Sequence, residues 1–169
     1  YRRQRKMCIR DRSDAQLLNP VEKEFLKNLP IQKEVKAGGV KFLLVHGSPR
    51  KNNEDILPDT PLSEVEKMLE NVEADVVLCG HTHIPCGFQT ESRKTVVNAG
   101  SIGRTFFVEP NSYPKACYLI IEVDNGSCVF QHQFVEYDKE QASEKLAARE
   151  FEGADKLAGM LINPEIRHF

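Results

Sequence analysis

Residues 75–85 read DVVLCGHTHIP. The run Asp75–Cys79 is short, apolar and β-branched, the composition of a strand buried on both faces of a sheet. It passes without a break into Gly80-His81-Thr82-His83. Upstream, residues 42–49 (FLLVHGSP) repeat the arrangement, an apolar run ending in His46 and Gly47. Loops converge on a crevice at the C-terminal edge of a central sheet, so α/β proteins gather their sites there. Glycine at such a strand end lets the backbone turn sharply and approach a ligand closely. Three of the five histidines thus stand at two glycine-flanked strand ends. On an ideal strand His81 and His83 would face opposite sides. In a turn, their imidazoles can reach different ions of a two-metal pair. Neutral imidazole suits zinc, manganese, iron or nickel. The plainer reading is three polar residues bonded to local backbone. His132, inside a strand-like run, and His168, near the terminus, have no comparable setting.

Residues 19–29 (NPVEKEFLKNL) combine an Asn cap, a Pro at the first helical position and apolar residues three to four apart. This predicts an amphipathic helix. Residues 31–47 give two strand-like runs joined at Gly38-Gly39, a hairpin. Residues 48–60 form a polar, Pro-bearing loop, and helical spacing resumes over 61–71. After the histidine pair come strand signals at 86–89, 95–98 and 105–108. Residues 116–123 and 127–137 flank Asp124-Asn125-Gly126, a second hairpin, and helices are expected over 138–148 and around 154–161. The pattern is α/β: a mixed sheet with flanking helices, β-rich after the histidines.

A length of 169 residues, 40% hydrophobic and 28% charged, suits one domain with a real core and excludes a disordered chain. No apolar run reaches the roughly 20 residues of a membrane span, so no membrane partner is expected. The net charge of -2 hides an asymmetry: residues 1–12 hold six basic side chains and one acidic, leaving 17 basic and 24 acidic beyond them. The string YRRQRKMCIRDR resembles a translated sequencing-library adapter and is set aside from the fold reading. With it goes the case for a basic nucleic-acid-binding arm, so nucleic-acid binding is not expected. Five cysteines, none in a CxxC pair, argue against a disulfide framework and point to a reducing, cytoplasmic setting. Cys79, Cys117 and Cys128 read as small buried hydrophobes, and Cys86 follows a Pro next to the histidine pair, where a thiol can sit near a metal, although a small hydrophobe is the plainer reading there too.

LLVHGSP (43–49), CGHTHIP (79–85) and VVNAGSIG (96–103), in this order, resemble the later motifs of calcineurin-like metallophosphoesterases. Within that superfamily the small bacterial and archaeal phosphodiesterase branch is the most similar. The similarity runs over residues 13–169 and implies the C-terminal portion of a single α-β-β-α sandwich domain. It implies that His46 and His81 bind the second metal and His83 the first. Gly47 and Gly80 match tight-turn positions, and Asn98, Gly100 and Ser101 match a supporting loop beside the site. Its cofactor would be a divalent pair, manganese first, with iron, zinc or nickel as alternatives. Its substrate would be a phosphodiester or phosphomonoester, attacked by a hydroxide that the two metals activate.

The earlier family motifs, Asp-x-His, Gly-Asp-x-x-Asp and Gly-Asn-His-Asp, do not occur before His46. They would supply the bridging Asp, the remaining ligands and the catalytic His, so no catalytic residue is assigned and the chain by itself is expected to be inactive. A rival hydrolase reading takes Ser101 within Ala99-Gly100-Ser101-Ile102-Gly103 as a nucleophile, although Ala99 breaks the G-x-S-x-G pattern. The alternative of a different class is a non-catalytic interaction scaffold on the same fold. Arg50 and Lys51, directly after the His46 motif, are candidates to contact an anionic substrate.

Overall fold

The computed structural model describes residues 17–104, 115–151 and 153–163. Helix α1 (Pro20–Lys27) starts where expected. The Asn19 side chain accepts from the backbone N–H groups of Val21 and Glu22, and Glu22 reaches back to the Asn19 N–H, closing a capping box. Its apolar stripe, Val21, Phe25 and Leu26, stays exposed.

Strands β1 (Lys33–Ala37) and β2 (Val40–Leu44) pair antiparallel around Gly38-Gly39. A loop and α2 (Leu62–Met68) then carry the chain to β3 (Val76–Cys79). Strand β4 (Cys86–Gln89) folds back antiparallel on β5 (Thr95–Asn98), completing a five-stranded sheet of order β1-β2-β3-β5-β4. Its centre is parallel: Leu44 is in register with Leu78, and Cys79 with Asn98. Parallel pairing of β2, β3 and β5 brings their C-terminal ends to one edge, carrying His46, the His81/His83 turn and Asn98 with them.

Both faces of the central strands are covered, which explains their continuous apolar runs. On one face Leu43, Val77 and Val96 pack with Val65, Met68 and Leu69 and with Ile56 of the loop. On the other, Phe42 and Val76 meet Ile121, Val123 and Phe130. Those residues belong to β6 (Ala116–Asp124) and β7 (Ser127–Val135), a separate antiparallel hairpin. It turns at Asn125-Gly126, both at positive φ, as a two-residue hairpin loop requires. Helices α3 (Lys139–Ala147) and α4 (Ala154–Ile162) pack together, with the Ser143 hydroxyl donating to the Ala158 carbonyl. The result is a mixed α/β architecture with a mixed sheet and flanking helices. The strand expected at 105–108 lies outside the described residues, as do residues 1–12 and His168. Among the described residues no helix is long and apolar enough to cross a membrane.

Candidate metal centre

Each histidine leaves its strand through a different local device. His46 follows β2, and its backbone carbonyl accepts from the Gly80 N–H at 2.9 Å, tying the two histidine-bearing ends together. Gly47 is required for space: a Cβ there would sit 2.6 Å from the Asn52 carbonyl oxygen and 2.7 Å from that of Lys51, because the loop folds back over it. Gly80 is less constrained, since a Cβ would meet only the His46 carbonyl oxygen, at 3.7 Å. His81 and His83 both adopt the left-handed conformation, φ +61° and +63°, with Thr82 buried between them. This is a turn, so the alternation of an extended strand does not apply.

The turn is held from below by Asn98, which is fully buried. Its amide donates to the Gly80 carbonyl at 2.6 Å and to the Thr82 hydroxyl at 3.0 Å, and its side-chain oxygen accepts from the Gly100 N–H at 3.0 Å. All three hydrogen-bonding capacities it uses point into the site edge. Gly100, at φ +77°, is packed so tightly that a Cβ would lie 2.8 Å from the Cys117 sulfur. Ser101 Oγ accepts from the Gly103 and Arg104 N–H groups and shapes the next turn.

The structure brings His46 and His81 together. His81 Nδ1 lies 3.2 Å from His46 Nε2, and the rings meet edge to face with centroids 5.1 Å apart. Two imidazole nitrogens at about 2.1 Å from one ion are about 3.0 Å apart at a right angle and about 3.4 Å apart at the tetrahedral angle. The observed 3.2 Å falls within that span, so this donor pair fits a single divalent cation. Burial, and secondly the neighbouring His81, hold the His46 imidazolium below its usual range, so the ring is neutral at neutral pH. His83 Nδ1 lies 2.6 Å from the Arg104 carbonyl oxygen. A carbonyl only accepts, so the proton sits on Nδ1 and the lone pair of the neutral ring on Nε2. Among the described residues, no three His, Cys, Asp or Glu side chains converge on one point.

Residues 13–126 match the calcineurin-like phosphoesterase superfamily domain. The chain belongs to the calcineurin-like phosphoesterase superfamily. Two solved structures support the fold. The hypothetical protein PH1004 from Pyrococcus horikoshii OT3 superposes with a TM-score of 0.71 at 27% identity, over 90% of this chain and 57% of that one. A metallophosphoesterase from Sphaerobacter thermophilus superposes at 0.63 with 19% identity, over 86% of this chain and 64% of its own. The chain therefore spans less than two thirds of either structure. No curated protein sequence matches it significantly.

Superfamily motifs do not single out three further residues. Asp55 Oδ1 lies 3.4 Å from His81 Nε2, on the side of the ring away from His46. His132, bland in sequence, lies with its Nε2 2.7 Å from the Asn98 carbonyl oxygen and so ties the β6–β7 hairpin to the site edge. That bond also directs this nitrogen away from service as a base for Ser101. Arg50 is committed to Glu54, through its Nε at 3.1 Å and its Nη2 at 2.6 Å, which removes it as a free anchor for an anion. The Cys79 thiol is pushed up to about 12 by burial and the Cys86 thiol to about 11, so both stay protonated at neutral pH.

Proposed function

We propose that the protein to which this chain belongs hydrolyses phosphoester bonds with a pair of divalent cations, His46 and His81 serving one and His83 the other. The observation that carries this reading is the 3.2 Å approach of His46 Nε2 and His81 Nδ1 at the sheet edge of a calcineurin-like phosphoesterase chain. When bound, such a pair lowers the pKa of water and offsets charge on phosphoryl oxygens. Manganese is the first cation to test, followed by zinc, iron and nickel, with a phosphodiester or phosphomonoester as substrate.

The chain's own residues hold the donors. His46 stays neutral through burial, the form in which an imidazole ligates a cation at neutral pH. His83 donates its Nδ1–H to the Arg104 carbonyl, which leaves the lone pair of the neutral ring on Nε2. Asn98 locks the turn between the two imidazoles of His81 and His83. With no third such donor meeting His46 and His81 among the described residues, the 169-residue chain by itself binds a cation weakly and does not turn over. The test is a Co²⁺ titration of the chain followed by absorption, beside a bis-nitrophenyl phosphate assay with Mn²⁺. Binding by the wild type that disappears in His81→Ala, without turnover, is the expected result. Equal binding by both proteins overturns the cation reading, and turnover that His81→Ala abolishes overturns the inactivity of the isolated chain.

A further inference from the structure

We propose that Asp55 is the positioning residue of His81: its carboxylate takes the Nε2–H, which leaves the Nδ1 lone pair facing His46 Nε2. This rests on the reading of His46 and His81 as a cation-binding pair. The two contacts of His81 lie at opposite ends of its ring, Nδ1 3.2 Å from His46 and Nε2 3.4 Å from Asp55. A carboxylate is an acceptor only, so the proton it meets must be on Nε2. At 3.4 Å the contact is long for a hydrogen bond, as contacts of this kind often are before a ligand is bound.

Asp55 is placed with more care than an exposed loop residue needs. Immediately before it, Glu54 is gripped by the Arg50 guanidinium and by the Ser48 hydroxyl. The same Ser48 oxygen accepts from the Arg50 and Lys51 N–H groups, so the turn is cross-braced. Immediately after it, Ile56 is sunk in the core with Leu43 and Val65. Gly47 admits the returning backbone within contact distance of the residue next to His46. The loop therefore delivers its carboxylate to His81 from fixed points on both sides. His83 is treated in the same way with opposite polarity, its Nδ1–H on the Arg104 carbonyl. Both histidines of the turn are thus anchored through one nitrogen while the other carries the lone pair, the arrangement by which proteins orient imidazole ligands.

The experiment compares wild type, Asp55→Asn and Asp55→Ala. Imidazole ¹⁵N spectra of the cation-free chain at mildly alkaline pH report which His81 nitrogen is protonated and how fast that proton exchanges with water. Co²⁺ titration reports affinity. Wild type should carry a slowly exchanging Nε2–H. Asp55→Asn, whose Oδ1 still accepts, should keep that proton and lose only a few-fold in affinity. Asp55→Ala should lose the protection, and its affinity should fall by roughly 10- to 100-fold. A wild-type proton on Nδ1, or an Asp55→Ala protein with unchanged exchange and affinity, overturns the proposal. If no variant binds Co²⁺, the cation reading fails, and the exchange comparison alone still decides whether Asp55 orients His81.

Discussion

Replacing Asn98 with alanine removes the side chain that fastens the His81/His83 turn to the sheet. Three hydrogen bonds are lost, to the Gly80 carbonyl, the Thr82 hydroxyl and the Gly100 N–H. Each is worth about 1 kcal/mol net, and a buried partner left unsatisfied costs about 1–3 kcal/mol. Thr82 is fully buried and keeps only the long 3.4 Å bond from the Ile84 N–H, whereas Gly80 and Gly100 are partly exposed and can recruit water. The expected loss is therefore about 3 kcal/mol. At a urea slope of about 2 kcal/mol/M this lowers the unfolding midpoint by about 1.5 M with the slope unchanged. Asn98→Asp sharpens the test. The new carboxylate can still accept from Gly100 but places a second acceptor against the Gly80 carbonyl, 2.6 Å from where the amide nitrogen stood. Its pKa in the folded state should rise, so the folded state binds the extra proton and stability should recover as pH falls. A loss below about 1 kcal/mol for Asn98→Ala, or an Asn98→Asp protein as stable as wild type at neutral pH, would refute the role assigned to this residue.

Gly47→Ala puts a methyl group 2.6 Å from the Asn52 carbonyl oxygen, a backbone atom that cannot step aside. Roughly 2–3 kcal/mol of stability should go, together with weaker Co²⁺ binding, while Gly80→Ala should cost less than about 1 kcal/mol. A tolerated Gly47→Ala would mean that the loop does not close on His46. The Arg50 guanidinium hydrogen-bonded to Glu54, helped by the Ser48 hydroxyl, holds that carboxyl below the usual range. A depressed carboxyl contributes stability that is complete above its unfolded-state pKa and is lost as pH falls through its folded-state value. Urea midpoints measured from neutral to acid pH should therefore fall less steeply in Glu54→Gln than in wild type, and parallel curves would contradict the clasp.

Features that depend on neighbours in sequence were legible there. The Asn19 cap, the glycine turn of β1–β2, the Asn125-Gly126 turn and the unbroken apolar runs of β2 and β3 each follow from local conformational preference or from burial on both faces. Parallel strands then deliver His46 and His81 to one edge. What sequence could not supply was contact across loops. Asp55 is one acidic residue in a polar stretch, and its meeting with His81 depends on the whole path of residues 47–56. Arg50 beside a histidine motif looks like a substrate anchor until Glu54 is seen to hold it. Helix α1 shows the complementary limit: spacing makes one face apolar without saying what covers it, and Val21 and Phe25 remain exposed.

The left-handed backbone of His81 and His83 also escapes a sequence reading, and it explains why the surroundings are built as they are. Histidine enters this region more readily than most residues, yet two such positions separated by a β-branched threonine persist only where the neighbouring structure over-determines them. Three elements do so. Strand β2 holds the turn through the His46 carbonyl, and β5 holds it through the Asn98 amide. The β6–β7 hairpin holds the Asn98 backbone through His132 and seats Cys117 against Gly100. The hairpin therefore does more than cover an apolar face, since removing its His132 contact would loosen Asn98 and, through it, the angle between the two imidazoles. Conformational strain at the histidines and the polar bracing around them are two sides of one arrangement. The sheet edge fixes donor positions that the turn, left to its own preferences, would not adopt.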